Sequence, residues 1–202
     1  MNLWRSWRTP MKVSANPVPY KDICLGIRQY DSGLDKEVLD EIFELCRYTL
    51  PCPHHPGFQC SIFGYPRDKI LEVFNHPSVQ KLEESFIKCC QNYWNLELDH
   101  EVTGWVYLSW TDSPHSKPFW HRHVSSSEDY YRLSGVLYLT LPEDAETTWF
   151  SRHYDLEKED FFSLPHVTNK WFIFPSAMNH LPGQPGNSNE MRICIAADYW
   201  IK

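Results

Sequence analysis

A change of period near residue 100 divides this chain and limits what it can fold into. Before that point apolar residues recur three and four apart; after it they come in short runs rich in β-branched and aromatic side chains. Residues 34–50, LDKEVLDEIFELCRYTL, carry Val38, Ile42, Leu45 and Cys46 at helical spacing, which predicts an amphipathic helix with Ser32 as its N-cap. Pro77 opens a second helical pattern over 77–94, with Val79, Leu82, Phe86, Cys90 and Tyr93 on one face. A short helical piece is expected near 67–74. Residues 51–66 read as loop, and the proline-punctuated residues 1–30 read as an extended arm with a short strand around Ile23–Ile27. From residue 100, VTGWVYLSW, LSGVLYLTL, TTWF, KWFIF and MRICIAADYWI read as strands separated by Pro, Gly, Asn, Asp and Ser. Helices followed by a run of strands make an α+β chain whose C-terminal part is a β-sandwich or barrel, with the helices packed outside the sheet. No linker or repeat interrupts it, so residues 1–202 are expected to form a single domain.

Composition narrows the function classes. With 42% hydrophobic and 22% charged residues the chain can bury a core, which excludes a disordered or fibrous protein. No stretch reaches the ~18 consecutive apolar residues of a membrane span. No apolar run follows the basic residues MNLWRSWRTPMKV, so no secretory leader is expected and the cytoplasm is the expected location. A net charge of −7 disfavours a general nucleic-acid binder. The seven cysteines include no C-x-x-C and read as reduced, packed thiols. Nine Trp, 11 Tyr and 11 Phe suit a β-rich core or a ligand pocket better than a helical bundle.

The histidines are unevenly placed. His121 and His123 lie two apart in PHSKPFWHRH, and His180 follows the apolar run WFIF in a Pro/Gly/Asn-rich turn. On a strand, residues i and i+2 share a face, so both imidazoles of the H-x-H pair can address one metal ion. Two ligands from one strand and one from another leave coordination positions open. That arrangement suits non-haem iron(II), which needs free positions for a bidentate co-substrate and dioxygen. Taken singly, each histidine is equally consistent with an ordinary surface or hydrogen-bonded residue. Arg192 opens the strand RICIAADYW, where an inward guanidinium is costly unless paired and is well shaped to hold a carboxylate. Metal and arginine together imply a small anionic ligand reaching from one to the other.

H-x-H followed by LSGVLYL, then IFPS…H and the strand Arg-x-Cys-Ile-Ala resemble the 2-oxoglutarate and iron(II)-dependent dioxygenases. Within that superfamily they are most similar to the small prolyl-hydroxylase-like oxygenases of bacteria and phages, in an H-x-H variant of the metal motif. The resemblance spans about residues 102–201, and FPSAMNH with RICIA is its most specific part. It implies a double-stranded β-helix, or jelly roll, over 100–202, with residues 1–99 supplying an arm and helices that buttress the major sheet. It implies that His121 and His180 ligate iron(II), with His123 where most relatives carry Asp or Glu. It implies that Arg192 binds the distal carboxylate of 2-oxoglutarate. Cys194 stands where many relatives carry a serine or threonine assisting that arginine, and a thiol is the weaker hydrogen bonder. Tyr107, with Ser109 on the same face, and Tyr138 are candidates to complete the co-substrate pocket, each with the alternative of a core aromatic.

The implied activity is a hydroxylase coupling oxidative decarboxylation of 2-oxoglutarate to C–H oxidation of a small-molecule or peptide substrate. Three neutral imidazoles leave iron at +2, which keeps two other readings open. One is a three-histidine dioxygenase that uses no 2-oxoglutarate; the other is a catalytically silent jelly-roll binding module. Glu128 or Asp129 is a further candidate to supply the missing carboxylate. Edge strands of such sheets also leave room for a homodimer.

Overall fold

The computed structural model describes residues 26–48, 59–64, 75–95, 97, 99–109, 119–123, 132–153, 156–165, 167–184 and 190–202. Among the described residues two α-helices carry the 3.6-residue period. Helix α1 (Lys36–Tyr48) buries Val38, Ile42 and Cys46, four residues apart on one stripe. Its N-cap is Asp35 rather than Ser32: Asp35 Oδ1 accepts from the Val38 amide at 2.9 Å. Ser32 lies one turn too early for that role. Its hydroxyl accepts from the Leu34 amide at 3.2 Å and meets the Asn169 side chain. Helix α2 (Pro77–Trp94) starts where expected, with Pro77 in its first turn, and ends on Asn95 in the left-handed conformation at φ 55°. His76 caps it by accepting from the Ser78 amide at 3.3 Å.

The strands are β1 (Arg28–Asp31), β2 (Gln59–Gly64), β3 (His100–Ser109), β4 (Arg132–Thr140), β5 (Trp149–Ser151), β6 (Phe161–Ser163), β7 (Lys170–Pro175), β8 (His180–Leu181) and β9 (Arg192–Ile201). Six form an antiparallel sheet in the order β1-β7-β4-β9-β3-β2, and β6-β5-β8 form a second antiparallel sheet. The long strands are the ones their alternating pattern predicts. Strand β2 falls inside a stretch expected to be loop, and it pairs with β3 through a bulge between Ser61 and Phe63. The expected short helix near 67–74 lies outside the described residues, and so does most of the expected strand around Ile23–Ile27.

Side-chain alternation gives the large sheet two different faces. Leu133 and Leu137 of β4, Trp171 and Ile173 of β7, and Ile193 and Ile195 of β9 pack in one cluster with the helices. Phe86 of α2 lies over this face, its ring centroid 4.9 Å from that of Trp171. A Cβ on Gly135 would come within 2.6 Å of the Phe86 ring, so glycine there is what lets α2 settle onto β4. The intervening residues, Val136, Tyr138, Phe172 and Cys194, form a separate cluster on the opposite face. Arg192 and Asp198 are on this face by the same period of two. No described helix is long and apolar enough to cross a membrane.

Candidate metal centre

His180 is on β8, at the edge of the small sheet, and it exchanges both backbone hydrogen bonds with His121 at 2.9 Å each. His123 follows in a bend, its amide donating to the Ser176 carbonyl at 3.0 Å. The H-x-H pair is thus not carried by a regular strand. The bridge to His180 and the His123–Ser176 hydrogen bond position it instead, and both rings still face one point. The three imidazoles each place a nitrogen within 4.8 Å of the others. Centroid separations are 5.3 Å for His121–His123, 4.3 Å for His121–His180 and 4.9 Å for His123–His180.

The hydrogen bonds at the outer nitrogens fix which nitrogen is available. His121 Nδ1 meets the Phe119 carbonyl at 3.0 Å, and His180 Nδ1 meets the Met178 carbonyl at 3.0 Å. A carbonyl can only accept, so each Nδ1 carries the proton and each Nε2 keeps its lone pair. His123 Nδ1 is 2.6 Å from Asp198 Oδ1, which imposes the same tautomer. Burial, then the proximity of His121 and His123, holds His180 well below the usual histidine range, and burial lowers His121 as well. Imidazoles whose Nδ1 is engaged outward and whose Nε2 is left for an ion form the donor set that a divalent transition metal requires. The residues present therefore fit a metal ion with three imidazole ligands.

Asp198 was not among the residues picked out by sequence. It sits on β9, in register with Ser134 of β4 and Thr103 of β3. Ser134 Oγ donates to Asp198 Oδ1 at 2.6 Å and is 2.9 Å from Ser176 Oγ. The available signal was an acidic residue inside the apolar strand RICIAADYWI, an even number of positions from Arg192. Glu128 and Asp129, the acidic residues considered from sequence, lie outside the described residues.

Arg192 is 2% exposed. Its Nε donates to Ser109 Oγ at 3.0 Å, and Nη1 donates to the carbonyls of Glu146 (2.9 Å), Gly183 and Gln184 (3.3 Å). Among the described residues no carboxylate forms an ion pair with it, so its partners are neutral dipoles rather than a counter-charge. Tyr107, Cys194 and Tyr138 occupy one row across β3, β9 and β4. Burial pushes the Cys194 thiol up to about 11 against the lowering effect of Arg192, so it stays protonated at neutral pH. Burial, then Cys194, raises Tyr107, while Arg192 acts to lower it. The Tyr138 hydroxyl is committed to Thr148, accepting from its amide at 2.7 Å and bonding its Oγ1 at 2.8 Å. Phe119, beside His121, is 70% exposed.

No protein-family model matches the sequence, and no curated protein matches it. Solved structures do match. The chain is similar to the non-haem α-ketoglutarate-dependent epimerase SnoN from nogalamycin biosynthesis, at 12% identity and TM-score 0.61 over 92% of this chain and 84% of that one. It is similar to a prolyl-4-hydroxylase of Pseudomonas putida, at 15% identity and TM-score 0.55 over 91% and 97%. It is also similar to HygX of Streptomyces hygroscopicus, solved with nickel and 2-oxoglutarate bound, at 8% identity and TM-score 0.61 over 92% and 88%. At such low identity the likeness is one of architecture: the chain shares its fold with these three proteins.

Proposed function

We propose that this protein is an iron(II)- and 2-oxoglutarate-dependent oxygenase, most simply a hydroxylase, acting on a small molecule or a peptide. The observation that carries the reading is the convergence of three imidazoles, each with Nδ1 engaged outward, on a fold shared with such enzymes. In this reading the two sheets are the walls of a double-stranded β-helix, and the site lies between them. His121, His123 and His180 hold the metal on one side and leave the opposite positions open. Arg192 takes the distal carboxylate of 2-oxoglutarate. Among the described residues its charge is buried against carbonyls and a hydroxyl, and an anion in the same space offsets the cost of burying it. Cys194 lies between Arg192 and Asp198 on the same face of β9, with Tyr107 beside it in register on β3. Tyr138 shapes the site indirectly, by fixing Thr148. Iron with 2-oxoglutarate, when bound, supplies the dioxygen activation that oxidises a C–H bond, with succinate and carbon dioxide as co-products. The protein's own part is to hold these partners in line and to exclude water from the site. Phe119, exposed beside His121, is placed to meet the substrate at the mouth.

The test is co-product formation. Purified protein with iron(II) and 2-oxoglutarate in air should release succinate in step with dioxygen consumed, and His180→Ala should abolish it. Dioxygen uptake that does not require 2-oxoglutarate would favour the second reading, a three-histidine dioxygenase, for which His123 is the supporting feature.

A further inference from the structure

In this chain a histidine stands where a facial triad ordinarily has its carboxylate, and a carboxylate stands directly behind that histidine. Asp198 Oδ1 is 2.6 Å from His123 Nδ1, and the two side chains are 16% and 15% exposed. Asp198 comes from β9, which is central to the large sheet, while His123 comes from the bend that follows the His121–His180 bridge. The aspartate is itself held by Ser134 Oγ at 2.6 Å. The other two imidazoles rest on backbone carbonyls at 3.0 Å, so among the described residues His123 is the one with a carboxylate on Nδ1.

We propose that Asp198 is a positioning residue of the metal centre, which returns through the His123 ring the negative charge that the triad lacks. The inference rests on the three-histidine metal site proposed above. An anion on Nδ1–H draws the proton outward and enriches the lone pair at Nε2, so His123 becomes a stronger donor than a carbonyl-bonded imidazole. A divalent ion with three neutral ligands and Asp198 one ring away makes an assembly of net +1, the charge of a two-histidine, one-carboxylate site. The ring also stays pinned: with Nδ1 held by a residue of the large sheet, His123 cannot rotate away from the other two.

The experiment measures cobalt(II) affinity by visible spectroscopy, alongside the histidine tautomers of the metal-free protein by nitrogen-15 NMR. The wild type should bind one cobalt and show His123 as the Nδ1–H form. Asp198→Ala should weaken binding by about 10- to 100-fold and release that tautomer. Asp198→Asn keeps an acceptor and should keep the tautomer, yet bind about tenfold more weakly because the charge is gone. In a His123→Ala background Asp198→Asn should cost nothing more. Wild-type affinity in both Asp198 variants would overturn the proposal. A full loss from Asp198→Asn in the His123→Ala background would also overturn it, because the aspartate would then be supporting the fold rather than the ligand. Failure of the wild type to bind cobalt would overturn the metal site and this inference with it.

Discussion

Arg192 shows what a single buried charge implies. Its guanidinium is 2% exposed and is met by carbonyls and the Ser109 hydroxyl, which orient it without neutralising it. Replacing it with alanine should weaken 2-oxoglutarate by about 2 kcal/mol or more, the cost of removing one side of a buried charged pair, with cobalt affinity nearly unchanged. Equal losses for both ligands, measured by titration, would mean that the arginine holds the fold rather than the co-substrate. His180 makes a second prediction at this scale. Its depressed pKa means the native site refuses a proton that the unfolded chain accepts below about pH 6.5. The contribution to stability of the metal-free protein is therefore fully present above that pH and is lost as pH falls below it. Urea midpoints should drop between pH 7.5 and 5.5, and the drop should be smaller in His180→Gln; equal drops would contradict the assignment. The convergence of the three histidines and the burial of Arg192 were legible because residue type and spacing carry them. Asp198 was not, because its meaning depends on strand register: it faces a histidine 75 positions away.

Elements were legible in proportion to their length and period. Helix α2 and strands β3, β4, β7 and β9 follow uninterrupted patterns, and the sheet is built on those strands. Strand β2 is hidden by the prolines before it, and β6 is only three residues long, so neither presents a period to read. Ser32 and Asp35 are both good N-caps by type, and only the hydrogen bond to Val38 separates them. What joins helix to sheet is a contact that sequence shows only as a glycine in LSGVLYL. A methyl at Gly135 would come within 2.6 Å of the Phe86 ring and 2.9 Å of Ile173 Cδ1. Gly135→Ala should therefore destabilise the protein by about 1–3 kcal/mol, through overpacking of α2 against β4. Denaturant unfolding checks this, and an unchanged midpoint would show that the helix accommodates the methyl freely.

The described residues form two antiparallel sheets; Phe174 of the larger meets Phe150 and His180 of the smaller, and the helices pack on the larger sheet's other face. Residues 119–123 bridge to β8 through His121 and contact the large sheet through His123 and Asp198, so a metal ion at this point ties all three pieces together. Metal at about a hundred times its dissociation constant should add about 2.7 kcal/mol of stability. For a domain of this size that is a rise of roughly 5–10 °C in Tm, reversed by a chelator. No shift would place any bound metal outside the folded site. The most direct test of the whole account is an anaerobic titration of the metal-free protein with iron(II) and then 2-oxoglutarate, followed in the visible spectrum. The account predicts a charge-transfer band that appears only when both are present, saturates at one equivalent of iron and is absent in His180→Ala. Iron bound tightly with no band on adding 2-oxoglutarate would contradict it.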